Sequence, residues 1–260
     1  MVSYFQMLLC LCTSVQLFAQ SPHPGQRWVV TLQASAGASQ AVVQDAAYSR
    51  LRYAGWIPSG AIGVSMRRGE IAHSFGIRYV AGTLAPDGLE SAAMQSSAWM
   101  AGYQLHWAPG SDEPGRRLYG QLGGGLRYHH MRRDYKGFIN NKIRTDQWAV
   151  LDLSGEMRIP LAAGDQWGLR LSGGIGFAGL FRIGDKWPDY GAGRDDADPR
   201  LYGLLYRDGF SAFMHASLYY RFLHQHGLEL GYRMEGTTLD QEPSWGVYAH
   251  GPVLAYSIRL

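Results

Sequence analysis

Over long stretches of this chain, apolar and polar side chains alternate with a period of two. Such a pattern restricts those stretches to strands with one oily face and one polar face. Leu118, Gly120, Leu122, Gly124, Leu126 and Tyr128 alternate with Tyr119, Gln121, Gly123, Gly125, Arg127 and His129. The same rhythm runs through Leu151 to Ile159, Trp167 to Phe177 and Phe210 to Phe222. Globular strands average about 5–6 residues. These runs are longer and match the roughly 9–11 residues a tilted strand needs to cross a bilayer. Related patterns lie near 27–42, 56–67, 70–84, 97–108, 227–237 and 246–260. The expected architecture is all-β: an up-and-down antiparallel transmembrane β-barrel of about ten strands. Arg67 to Glu70, Leu161 to Gln166 and Leu223 to Gly227 read as tight connections, and Ala108 to Arg117 as a somewhat longer one. The opposite connections, near 43–55, 84–97, 135–146, 184–209 and 237–245, read as mostly longer. Short periplasmic turns, longer extracellular loops and a periplasmic position for both termini are therefore expected.

Composition agrees. The chain has 260 residues with 34 glycines, 13% aromatics and only 17% charged residues, whereas a typical soluble domain is about 25% charged. The net charge of +3 is dispersed, which argues against nucleic acid as a partner. Met7 to Phe18 is mostly apolar and is followed by the small Ala19, as in a secretory signal. It is too short for a transmembrane helix, which takes roughly 20 apolar residues. Residues 1–19 are expected to be a cleaved signal peptide and residues 20–260 a single outer-membrane barrel domain. Cys10 and Cys12 fall within the signal, so disulfides, thiol nucleophiles and Cys-metal sites are not expected in the mature protein.

Trp28, Trp107 and Trp167 fall at the short-turn end, on the apolar face. Tyr53, Trp56, Trp99, Phe181 and Tyr248 lie nearer the long-loop end. Two aromatic belts are expected where such rings meet the membrane–water interfaces. A secreted soluble barrel, with its aromatics as core, is the alternative. It would place the apolar face inward, yet the other face here carries Arg and Glu among many Gly and Ser, which suits a narrow lumen. That face holds Arg78, Arg127, Arg158, Arg170, Arg221, Arg233 and Arg259, with Asp152, Glu156, Glu229 and Glu235. His106, His129, His215, Gln104 and Tyr219 share it. Enclosed charges must pair or stay wet, so the set reads either as a salt-bridged plug or as a cation-lined path favouring anions. His129 and His130 are strand neighbours on opposite faces and cannot chelate one ion. His224 and His226 flank a turn. No metal site and no cofactor are expected. The segment 184–209 contains Asp195, Asp196 and Asp198 without the glutamate that would complete an EF-hand-type loop. Tyr190, Tyr202 and Tyr206 make it a candidate partner-contact loop.

Taken together, the Phe18-Ala-Gln20 signal end, the strand Gln121 to Tyr128 and the closing run Pro252 to Leu260 resemble the small outer-membrane β-barrel proteins of Bacteroidota. The resemblance covers nearly the whole mature chain and carries no catalytic residues. It implies a bacterial outer-membrane location, contact with outer-membrane lipid or lipopolysaccharide, and other outer-membrane or periplasmic proteins as partners. It also implies a non-enzymatic structural or accessory role, as in the accessory barrels of secretion and conjugation machines. The alternatives are a narrow anion-favouring pore and a surface hydrolase, omptin-like or lipid-acting. For the hydrolase, Asp195-Asp196 and His250 are the nearest candidates, and no motif brings them together.

Overall fold

A computed structural model describes residues 28–45, 49–86, 89, 92–109, 119–135, 142–161, 166–182, 200–203, 209–223, 225–240 and 245–260. They form β1 (Val29–Asp45), β2 (Ser49–Arg68), β3 (Ile71–Pro86), β4 (Met94–Trp107), β5 (Tyr119–Tyr135) and β6 (Lys142–Pro160). β7 (Trp167–Arg182), β8 (Arg200–Gly203), β9 (Gly209–Phe222), β10 (His226–Leu239) and β11 (Trp245–Arg259) complete the set. All pairings are antiparallel, and β1 bonds to both β2 and β11, which closes the sheet. β7 pairs with β9 through Trp167–Ile175 and with β8 through Ala178–Phe181, so β8 and β9 are two pieces of one barrel position. The molecule is a closed ten-stranded up-and-down barrel. Closure of β1 on β11 removes the open edges that hydrocarbon does not tolerate.

Gly69-Glu70 links β2 to β3, with Gly69 at φ 56°. Leu223, at φ 50°, opens the turn from β9 to β10. The outer ends of β1 and β11 meet at this same rim, where the Leu260 amide donates to the Val30 carbonyl at 2.8 Å.

At the opposite rim the strands run further than the alternation suggests. β1 and β2 are joined by residues 46–48 alone, and β10 and β11 by 240–244. The expected contrast between short and long connections is therefore weaker than anticipated. Only 183–199 is much longer than the others at that rim, while 108–118 is long at the rim of tight turns.

The physical reason is that the two faces exchange character along the strands. Toward the Gly69 rim the outer face is apolar: Leu122 is 71% exposed and Leu153 63%, with Ile62, Leu105, Leu230 and Leu254 exposed beside them. The inner face there carries Arg78, Asp152, Glu156 and Glu229, all buried. Toward the other rim the order inverts. Arg52, Gln95 and Arg132 point outward and are exposed. Val43, Tyr53, Leu84, Met94, Tyr135, Val150 and Phe181 point inward and form one buried apolar core with Trp148 and Trp245. The first storey is a membrane barrel, and the second is built like a soluble one, a head with oil inside and water outside. Strands of 14–20 residues are long enough for both, since about 9–11 suffice to span a bilayer.

Trp56, Tyr79, Trp99 and Tyr248, all exposed, mark the boundary between storeys. Trp99 lies 5.0 Å from Tyr128 and stacks on His130 at 5.5 Å. Tyr53 and Phe181, expected in this belt, are instead inside the head. Tyr53 shares the inward parity of Ser59 and Ala61. Phe181 is turned inward by an irregularity in β7: Leu151 pairs with Ala178 but Asp152 with Gly176, leaving Phe177 unmatched.

Candidate functional site

The lumen of the membrane storey is a set of linked charge clusters. Glu156 accepts from Arg158 Nε and from Arg170 Nη2, each at 2.6 Å. Arg170 Nη1 reaches Glu229 at 3.3 Å, and Glu229 also accepts from Ser217 and from Gln33, the latter at 3.4 Å. Higher up, Arg127 Nε donates to Asp152 at 2.7 Å and Arg127 Nη2 to Ser211 at 3.2 Å, with Ser211 and Thr237 3.0 Å apart. The Arg127 guanidinium lies 4.6 Å over the Phe213 ring. Arg78 pairs with Glu235 at 2.7 Å, and His106 meets the Ser154 hydroxyl at 2.9 Å. Arg221 lies 5.3 Å over the Tyr219 ring. Arg233 also faces inward, while Arg259 sits exposed at the strand end. The structure thus brings together Arg127 with Asp152, Arg78 with Glu235, and Arg158 and Arg170 with Glu156 and Glu229.

Burying these charges is tolerable because each of the four carboxylates is met by at least one arginine. Glycines let the strands approach closely enough for this. A Cβ on Gly123 would stand 1.9 Å from the Leu105 carbonyl, and one on Gly168 would overlap the Tyr219 hydroxyl.

Above these clusters the head closes the lumen. His129 stacks on Trp148 at 4.7 Å with the rings 7° apart, and Trp148 meets Trp245 edge-on at 5.0 Å. Within this apolar plug, Arg133 is fully buried, pairs with Asp146 and donates to the Tyr135 hydroxyl at 2.8 Å. Arg144 approaches Asp146 at 3.5 Å. Sequence reasoning missed this cluster because Tyr135, Arg144 and Asp146 fall within 135–146, which reads as a connection. The available signal was that Arg133 and Tyr135 continue the inward parity of Arg127 and His129.

The remaining candidates separate. Trp56, Trp99, Trp107 and Trp167 are exposed on the outer face, and Trp28 lies 6.0 Å from His73 at the Gly69 rim. Trp107 Nε1 donates to Glu70 at 3.0 Å, a polar tip at an interface. His226 meets the Tyr256 hydroxyl at 2.5 Å, while His224 lies outside the described residues. His250 pairs with Gln40 of β1, five residues in from the start of β11. It lies within β11 on the outer face, bonded to the Tyr232 hydroxyl. Asp195, Asp196, Asp198, Tyr190 and Tyr206 lie outside the described residues, as does the signal segment. Tyr202 belongs to β8, opposite Gly179. Among the described residues no group of three His, Cys, Asp or Glu is placed to hold a metal ion.

No protein-family model matches the chain, and no curated protein matches it. Among solved structures, 51 chains match. The outer membrane protease OmpT of Escherichia coli superposes with a TM-score of 0.50 at 9% identity, over 93% of this chain and 100% of its own. The translocator domain of the autotransporter NalP from Neisseria meningitidis gives 0.48 at 9% identity, over 100% and 97%. Neisserial surface protein A gives 0.43 at 9% identity, over 89% and 97%. At such identity the OmpT likeness speaks for fold alone. Together with the lipid-facing band it defines the class: an integral β-barrel of the bacterial outer membrane.

Proposed function

We propose that the protein is a non-enzymatic, non-conducting barrel acting as a structural or accessory subunit of an outer-membrane assembly, of the kind its sequence resembles in Bacteroidota. One observation carries this reading: the head core, with Tyr53, Leu84, Met94, Tyr135, Trp148 and Phe181 buried across the bore. Apolar side chains lining the bore at this level give an ion little to replace its hydration.

Planar-bilayer recording tests the closure. The expected result is no steady unitary current. Steady currents reduced by Arg170→Gln would replace this reading with the narrow anion-favouring pore. The accessory role is tested by affinity purification from gently solubilised membranes. A stoichiometric outer-membrane or periplasmic partner is expected, and deletion of 188–206 should release it if that loop makes the contact.

A further inference from the structure

Where the two storeys meet, the barrel interior holds a cavity of about 50 Å³. Its level is fixed by the aromatic belt. Trp56 points outward next to Ile57, Tyr79 between Arg78 and Val80, Trp99 between Ala98 and Met100, and Tyr248 between Val247 and Ala249. Each of those neighbours lines the cavity, so it lies inside the wall at the level of the membrane interface. Its sides are oily, with Val43, Val80, Leu84, Met131, Trp148 and Val247. The charges at its floor are turned to one another. Arg78 holds Glu235, and Arg127 holds Asp152 and the Ser211 hydroxyl, which meets that of Thr237. Arg78 Nε and His129 Nε2 lack a hydrogen-bond partner, but both atoms are buried and offer an occupant no donor.

The wall beside the cavity is sparsely bonded. β2 and β3 pair up to Ala54 opposite Ala85 and resume at Ser59 opposite Val80, with no ladder pair between them among the described residues. Within that interval Ile57 and Leu84 line the cavity, Trp56 stands exposed outside, and Pro58 has no amide hydrogen to give. Ile57 closes the interval, for a Cβ on Gly82 would stand 2.4 Å from its Cγ2. A stretch of wall without ladder bonds opens at less cost than its neighbours, and what meets it from outside is the lipid interface.

We infer that this cavity is a binding site for a small uncharged apolar molecule drawn from the membrane interface. Its size sets the class. One water needs about 10–15 Å³ of such space, and an apolar cavity of about 150 Å³ binds benzene or xenon. At about 50 Å³ the site takes one xenon atom or a molecule of about two or three heavy atoms, and no benzene ring. Paired charges below and an oily surround give an ion nothing to replace its hydration. The site holds whether or not the barrel serves a larger assembly.

The probe is xenon. Crystals of the full protein pressurised with xenon should show an anomalous peak in the cavity, near Leu84, Met131 and Val247. Crystals soaked in bromide, an anion of similar size, should show none there. Ala98→Val and Ala249→Val fill the cavity from different strands. Each should remove the xenon peak and keep the heat-modifiable folded band, and the second carries the test if the first fails to fold. No xenon peak in the wild type overturns the site, as does a peak that survives in either folded variant. A bromide peak in the cavity overturns the apolar class. The source is read in phospholipid vesicles with Trp148, which lines the cavity, as the sole tryptophan. Dioxygen dissolves in lipid and should quench it, whereas iodide, confined to water, should not. Quenching by iodide, or none by dioxygen, overturns the membrane source.

Discussion

Asp152 offers the sharpest test of how the lumen is held together. Its carboxylate is fully buried, 2.7 Å from Arg127 Nε, and its Oδ1 already lacks a hydrogen-bond partner. Arg127 is only 13% exposed and otherwise has the Ser211 hydroxyl and the Phe213 ring. Removing one member of a buried pair costs about 3–5 kcal/mol, chiefly because the survivor is stranded. Asp152→Ala leaves a cation with a hydroxyl, a ring and some water, so the loss should fall near the lower end, about 3 kcal/mol. That is about two decades in the folded-to-unfolded ratio. Arg127→Met leaves a sealed carboxylate with no cation and should cost more, near 5 kcal/mol. The double replacement Asp152→Leu with Arg127→Met strands nothing and should cost less than Arg127→Met alone. Reversible urea unfolding in phospholipid vesicles, followed by tryptophan fluorescence, measures all three. Single losses below about 1 kcal/mol, or a double loss equal to their sum, would refute the view that the pair is desolvated and mutually dependent.

Four further outcomes follow from the same geometry. In single-tryptophan variants, brominated lipid should quench Trp56, Trp99, Trp107 and Trp167, and should leave Trp148 and Trp245 bright. Leu153→Arg, on the lipid face of β6, should cost about 2–4 kcal/mol in vesicle unfolding if it sits near mid-bilayer, while Gln95→Arg on the polar exterior of the head should change nothing measurable. Gly123→Val should lose the heat-modifiable folded band on gels, because its Cβ would collide with the Leu105 carbonyl, whereas Gly120→Ala meets nothing within 4 Å and should fold. Trp148→Ala should cost about 3–5 kcal/mol, and paired with Phe181→Ala it should let ions through a bore that is silent in the wild type.

The membrane storey was legible because one rule, oily out and charged in, holds from strand to strand. Arg78, Arg127, Asp152, Glu156 and Glu229 all lie on the face their parity assigns. The head was not legible, since it obeys the opposite rule on the same strands. Around Tyr53, Leu84 and Tyr135 the inward side turns apolar while Arg52 and Arg132 turn outward. A reader who follows one face sees the signal fade, and takes the fading for a loop. Phe181 adds a second obstacle: a single unmatched residue in β7 reverses parity, and that irregularity leaves no mark in composition. The pairing of charges was out of reach as well. Parity places Arg233 and Glu235 on one face, but only the side-chain geometry across the bore shows that Glu235 goes to Arg78 and that Arg233 has no ion pair among the described residues.

The seam between β1 and β11 constrains how this molecule is made. It bonds the earliest strand to the latest, from Thr31 opposite Arg259 to Asp45 opposite Trp245. A chain delivered N-terminus first would carry β1 with one bare edge until synthesis and export were nearly complete. In hydrocarbon each bare backbone group costs several kcal/mol. Entry into the bilayer must therefore wait for the whole set of strands, or some surrogate strand must guard β1 until its own partner arrives.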